Sequence, residues 1–353
     1  MIRIQKSNIQ KAVSMWTAQI HIHLNEVHTG HHKLRYKDTG GSHHTFSTRI
    51  EKYKAMYDDR CRTIATMSAE AKDFFWRRIE GFLDNDEYLT GNKTLCDKWS
   101  RWQSLYLRNT DLKDIVKDIF ISIYEDVSEA IGYDILKKLD VRTCPYCNRY
   151  YTFTLKTKKN EFKTRPEFDH FLDKSTFPML AVTFFNLVPS CKECNHGKGT
   201  KEVGVNPYFS DFKSKFILMT APKEPHISPK KMNLNDIRKI SNEDDFNVDF
   251  KLPTDRFVKA AEEKNIKSLG LRQLYNMHKD YVMEMVEKAV AYNRLTRFGI
   301  VDSFQGVFHS ENDVYNLIFG RYLSDSEQLN RPLSKLTADV LDQLQIRPEP
   351  PVS

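Results

Sequence analysis

The chain has 353 residues, 40% hydrophobic and 29% charged, which is enough apolar material for two or three cores and too much for wholesale disorder. No apolar run reaches the length that a membrane span needs, and residues 1–6 lack the apolar core of a secretory signal, so a cytoplasmic protein is expected. The net charge of +7 is unevenly placed: residues 141–220 hold thirteen Lys or Arg against seven Asp or Glu, a balance that favours a polyanionic partner.

Residues 1–140 read as mainly helical. Ser68 is placed to cap a helix carrying Phe74, Phe75, Ile79, Phe82 and Leu83. Leu112, Ile115, Val116, Ile119, Phe120 and Ile123 recur at the spacing of one helical face, with Asp111 at the N-cap. Seven of the twelve histidines (His21, His23, His28, His31, His32, His43 and His44) fall within residues 21–44. Gly30, Gly40 and Gly41 interrupt that stretch, so its second half is expected to be a solvated loop. A second metal site or a phosphate-contacting surface is left open there, although the spacings match no coordination pattern.

From Arg142 the character changes to short β-type runs. Residues 149–155 are rich in Tyr, Phe and Thr, as a strand would be. An exposed turn is expected over 157–160, with Lys156, Lys158, Lys159, Lys163 and Arg165 on or near it to meet phosphates. Further on, Phe246, Val248, Phe250 and Leu252 alternate with polar neighbours, which predicts a half-buried strand that 215–219 could pair with. Pro222, Pro225 and Pro229 mark the intervening loop. Leu271, Leu274, Tyr275, His278, Val282, Met285, Val286 and Ala289 make one long apolar helical face, so His278 reads as a packed histidine. Helices over 314–323 and 335–344 should follow, and the proline-rich tail from Arg347 should fray.

Six cysteines are present, and reduced thiols are expected in a cytoplasmic chain. Cys61 and Cys96 are isolated. Cys144-Pro-Tyr-Cys147 and Cys191-Lys-Glu-Cys194 form two knuckles. Two-residue spacing lets both thiolates of a knuckle reach one ion, so the two together supply a closed, tetrahedral and structural Zn²⁺ site.

Between and beyond the knuckles stand Phe168-Asp-His-Phe171, Asn186-Leu-Val-Pro-Ser190 and Asn195-His-Gly-Lys198. This order, Asp-His, then Asn-Leu, then Cys-x-x-Cys-Asn-x-x-Lys, resembles the HNH endonucleases of the His-Me finger superfamily. The likeness spans residues 144–198. It implies a ββα-metal core: a first strand ending at His170, a loop over 172–185, a second strand from Asn186, and a helix bearing Asn195 and Lys198 on one face. The resemblance places His170 as the general base for water. Asp169 and Asn195 are hard oxygen donors that would hold a catalytic Mg²⁺ or Mn²⁺. Lys198 would add charge stabilisation at the phosphate, and Asn186 would bond backbone across the loop to hold His170. Asn195 stands at the motif's last position with His196 beside it; His196 is expected to face DNA or solvent.

The phrase Asp-His-Phe-Leu-x-Lys-Ser, with Asn-Leu-Val-Pro-Ser-Cys-x-x-Cys-Asn after it, is similar to HNH proteins of bacterial anti-phage systems, of the Septu and retron-linked kinds, which work beside an ATPase partner. The resemblance thus implies a DNA endonuclease serving in defence. Three other readings stay open: an RNase using the same site, a zinc-stabilised nucleic-acid-binding module without catalysis, and a solo restriction-type or mobile-element nuclease. The expected architecture is α+β: a helical region over 1–140, a zinc-bound nuclease core over 141–212, and a mainly helical region with a short β element over 213–353. The flanking arms would serve a protein partner, a homo-oligomer or substrate sensing.

Overall fold

The computed structural model describes residues 2–4, 9–28, 35–37, 43–45, 110–157, 162–221, 228–308, 311–320 and 322–346. The helix expected after Ser68, together with His31, His32, Cys61, Cys96, Lys158, Lys159, Pro222, Pro225 and the tail from Arg347, lies outside them. The described chain mixes helices with small sheets, each an antiparallel pair of strands. Among the described residues no helix is long and apolar enough to cross a membrane. Two compact units are present, both discontinuous in sequence: Gln5–Val141 with Thr152–Glu202, and Met1–Ile4 with Arg142–Tyr151 and Val203–Ser353.

In the first of these units, α1 (Ile9–His28) buries Ile9, Ala12, Trp16 and Ile20, three or four residues apart and therefore on one stripe. Strands β1 (Arg35–Lys37) and β2 (His43–Thr45) pair where a loop was expected from the glycines; Tyr36 and Thr45 are residue types that suit a pleated surface. Helix α2 (Thr110–Leu139) buries Phe120, Ile123 and Val127 at the same periodicity. It begins at Thr110, so Asp111 lies within the helix and not at its N-cap. Trp16 packs 6.5 Å from Tyr124 of α2. Two short pairs follow: β3 (Leu155–Lys156) with β4 (Lys163–Thr164), and β5 (Glu167–His170) with β6 (Leu187–Ser190). Helix α3 (Lys192–Lys198) comes directly after β6.

The 149–155 run is not the expected strand. Asn148 turns the backbone at φ +50° just before it, Tyr151 makes only an isolated bridge to Thr143, and Leu155 alone enters a strand.

The second unit is organised on β7 (Lys215–Thr220) and β8 (Phe246–Lys251), paired in full register from Lys215↔Lys251 to Thr220↔Phe246. Phe246, Val248 and Phe250 are buried on one face of β8, as their alternation dictates. Helices α4 (Leu234–Ile237), α5 (Arg256–Ser268), α6 (Leu271–Asn276), α7 (Lys279–Ala291), α8 (Arg294–Ser303), α9 (Glu311–Phe319) and α10 (Ser334–Gln343) complete it. The apolar stripe read as one helix over 271–289 is two, α6 and α7, interrupted at Met277 and His278. Asn276 gives the reason: its side chain accepts from Val248 N at 2.9 Å and donates to Val248 O at 2.8 Å, tying the end of α6 to β8. Helix α10 covers the open edge of β7, with Asp339 accepting from Phe216 N and Gln343 from Leu218 N, both at 2.9 Å.

Candidate active site

The expected site residues converge at β5, β6 and α3. Alternation along β5 sends Phe168 and His170 one way and Glu167 and Asp169 the other. Phe168 packs edge-on at 6.0 Å from Trp16 of α1, and His170 edge-on at 4.6 Å from Tyr124 of α2. On the opposite side, α3 presents Asn195 and Lys198, one turn apart. Asn195 Nδ2 donates to Glu167 Oε2 at 2.7 Å, and Lys198 Nζ donates to Asp169 Oδ1 at 3.1 Å and to the His170 carbonyl at 2.6 Å. Two residues along a strand thus meet two residues along a helix.

The segment between the strands is tied down by Asn186. Its Oδ1 accepts from Leu172 N at 2.7 Å, while its Nδ2 donates to Leu172 O at 3.0 Å and to Leu180 O at 2.9 Å. Asp173 folds the start of the loop by accepting from Thr176 N at 3.0 Å and from the Ser175 and Thr176 hydroxyls. Two 3-10 turns, Pro178–Val182 and Phe184–Asn186, then lead into β6 at Leu187, one residue later than expected. The loop's carbonyls are used as acceptors: Ala181 O lies 3.2 Å from His170 Nε2, and Val182 O receives Trp16 Nε1 at 2.6 Å.

A cleft of about 770 Å³ opens over this floor, lined by Glu167, Asp169, His170, Asn195 and His196, with Lys163 and Lys174 at its margins. Burial, and then the Lys174 ammonium, lower the His170 pKa to about 3, so the imidazole is neutral at physiological pH. Burial likewise pushes the Tyr124 phenol up. The exposed His196 has its Nε2 3.4 Å from Glu167 Oε2.

Two expected roles meet a different geometry. Lys198 is only 1% exposed and lies beneath the floor, its ammonium held by Asp169 and the His170 carbonyl instead of facing a phosphate. Arg165 lines the cleft, but its guanidinium packs against α2 and β5: Nη2 donates to Ser128 Oγ at 3.2 Å, and the group lies 5.2 Å from the Tyr133 ring and 5.7 Å from that of Phe168. A Cβ at position 132 would stand 2.2 Å from Arg165 Nη1, so Gly132 makes room for it. Lys156 and Lys163 are exposed, as nucleic-acid contacts must be.

Glu167, Tyr124 and Lys174 were not singled out in the sequence. Glu167 had a signal, since it stands two residues before Asp169 and so shares its face. Tyr124 had none, because its contact with His170 is set by helix packing.

Cys144, Cys147, Cys191 and Cys194 are all buried and form no disulfide, with their sulfur atoms within 4.8 Å of one another. A tetrahedron of Zn–S bonds places its sulfurs about 3.8 Å apart, so the cluster is able to hold a zinc ion after small shifts. Asn148 N donates to Cys144 O at 2.7 Å, closing the first knuckle, and Arg149 N points at Cys147 Sγ at 3.4 Å.

Among known proteins, no family model and no solved structure matches the chain. It is similar to the Septu protein PtuB of Bacillus thuringiensis, with 38% identity over 76 residues, or 20% of this chain and 26% of that protein. The chain therefore spans about a quarter of the length of the curated relative it matches.

Proposed function

We propose that the chain is a metal-dependent endonuclease of the HNH type, with a ββα-metal core over β5, β6 and α3, that hydrolyses phosphodiester bonds in DNA. The observation that carries this reading is the meeting of Asp169, His170 and Asn195 at one cleft between a strand and the helix that follows its partner strand. The partial likeness to a Septu protein supports service in an anti-phage defence system. Work beside an ATPase partner is part of the proposal, carried by the sequence resemblance alone.

The donor chemistry fits a hard divalent cation that keeps several waters: the Asp169 carboxylate and the Asn195 side-chain amide line the same cleft. When bound, Mg²⁺ or Mn²⁺ would neutralise charge on the phosphate and on the departing 3′ oxygen. His170 acts as base. With Nε2 donating to Ala181 O, Nδ1 carries the lone pair and takes a proton from the attacking water. The water oxygen bonds to phosphorus as the P–O3′ bond breaks, and the 3′ oxygen leaves to be protonated. Lys198 fixes the Asp169 carboxylate from below, and Asn186 holds the loop that carries the Ala181 carbonyl. The zinc ion of the cysteine cluster would be structural, because four thiolates leave no open position.

The test is incubation of the full chain with supercoiled plasmid and, separately, structured RNA, with Mg²⁺, with Mn²⁺ and with neither, beside a His170→Ala control. Metal-dependent relaxation or linearisation of plasmid that disappears in the control is expected. Cutting that survives in His170→Ala would remove His170 as the base, and cutting confined to RNA would redirect the same site to that polymer.

A further inference from the structure

Glu167 opens β5 directly across from Ser190, the last residue of β6, and α3 begins just beyond that partner at Lys192. The register thus brings the Glu167 side chain level with α3. There its Oε2 receives Asn195 Nδ2 at 2.7 Å and lies 3.4 Å from His196 Nε2. Glu167 lines the cleft together with Asp169 and Asn195. A carboxylate has no hydrogen to give, whereas a side-chain amide has two different ends, an NH₂ group and a carbonyl oxygen. Glu167 can therefore hold Asn195 in one sense only, with Nδ2 toward the strand. Among the described residues, Asn195 Oδ1 accepts no hydrogen bond. Of the two ways to set the amide, this is the one that leaves an oxygen, and not an N–H, for a cation.

We infer that Glu167 is a positioning residue of the metal site, fixing the Asn195 amide so that Oδ1 and not Nδ2 meets the divalent ion. The inference rests on the nuclease reading for Asn195 as a ligand. The support it describes is reciprocal. On the strand, Asp169 is held by Lys198 of the helix; on the helix, Asn195 is held by Glu167 of the strand. Each proposed ligand is thus oriented by the element that carries the other. Groups that orient a ligand without touching the ion typically contribute about ten- to a hundredfold in metal affinity.

Mn²⁺ binding to the full chain is measured by electron paramagnetic resonance of the free ion, with one equivalent of Zn²⁺ per chain present to fill the cysteine cluster. No nucleic acid is added, so turnover does not enter the readout. Glu167→Gln keeps the length of the side chain but can pair with Asn195 turned either way. It should weaken Mn²⁺ binding by about tenfold or more. The deciding comparison repeats this substitution in an Asn195→Asp background. Both oxygens of a carboxylate can ligate, so nothing needs orienting there, and Glu167→Gln should leave binding unchanged or tighten it by removing a neighbouring like charge. Thermal melts of every variant separate lost ligation from lost fold. No loss with Asn195 present would overturn the inference. An equal loss in both backgrounds would also overturn it and would make Glu167 a ligand or a source of charge. Failure of the cation site looks different: no Mn²⁺ binding in wild-type protein, or binding that Asn195→Ala leaves unchanged, would remove Asn195 as a ligand and the inference with it.

Discussion

Lys198 and Asp169 form an ion pair that is almost wholly removed from water, 3.1 Å apart with side chains 1% and 2% exposed. Removing one partner of such a pair strands the other charge in a medium that solvates it poorly. Lys198→Met is therefore expected to destabilise the fold by about 3–5 kcal/mol, measured by urea unfolding. The double variant Lys198→Met/Asp169→Asn should recover a large part of that loss. A single variant as stable as wild type would mean that the pair is not formed in solution.

Asn186 makes three hydrogen bonds to backbone on both sides of the loop that carries the Ala181 carbonyl. Asn186→Ala removes the side-chain partner of the Leu172 N–H and carbonyl and one of two donors to the Leu180 carbonyl, which keeps Thr183 N, and should cost about 2–4 kcal/mol. Because the loop also orients His170, cleavage at a temperature where the variant is still folded should fall more than the folded fraction does.

Tyr124 packs edge-on against His170 at 4.6 Å, and Lys174 Nζ lies 5.1 Å from the centre of the Tyr124 ring. Tyr124→Phe retains the ring and should cut plasmid at a rate close to wild type. Tyr124→Ala frees the imidazole to move and should lower the rate by about a hundredfold, the scale expected when a catalytic group shifts by an ångström. Equal effects of the two variants would point to the hydroxyl rather than the ring.

His278 accepts a hydrogen bond at Nε2 from Arg149 Nε at 2.9 Å. Burial, then the Arg149 guanidinium, hold its pKa below the ordinary 6.5. The unfolded chain therefore binds more protons than the folded one between the lowered pKa and 6.5, and the contribution of His278 to stability is complete above 6.5 and lost as pH falls through that window. Melting temperature recorded from pH 8 down to pH 5 should decline at the acid end, and His278→Gln should flatten the decline. An unchanged slope in that variant would assign the acid sensitivity elsewhere.

The cysteine cluster makes a stoichiometric prediction of about one zinc ion per chain, removed with loss of cooperative melting by Cys191→Ser. Elemental analysis of purified protein checks the first part, and a thermal melt the second. Wild-type protein free of zinc and stable to strong chelators would exclude the role.

The features legible in the chain are those whose cause is local. Cys144 to Cys147 and Cys191 to Cys194 announce knuckles because two residues is the reach of one turn around an ion. Phe246, Val248 and Phe250 announce a strand because side chains alternate every residue. Asn195 and Lys198 share a face because a helix turns once in that distance. Even the failures among local readings are instructive. The stripe from Leu271 to Ala289 keeps helical periodicity across a break, because Asn276 is pulled onto Val248, a residue 28 positions earlier.

Tertiary structure decided what the chemical groups do. Nothing near Lys198 in sequence says that its ammonium lies under Asp169 and the His170 carbonyl. That follows from packing α3 against β5, which turns an expected phosphate contact into a buried support. Arg165 was likewise drawn away from solvent by the space over Gly132 and the rings of Tyr133 and Phe168. The sequence by itself determined which side chains are available and which face of its own element each occupies, since both depend only on backbone periodicity. Which charges are buried, which are left at the surface, and which ring lies against His170 depend on residues far apart in the chain, and only the folded packing brings those together.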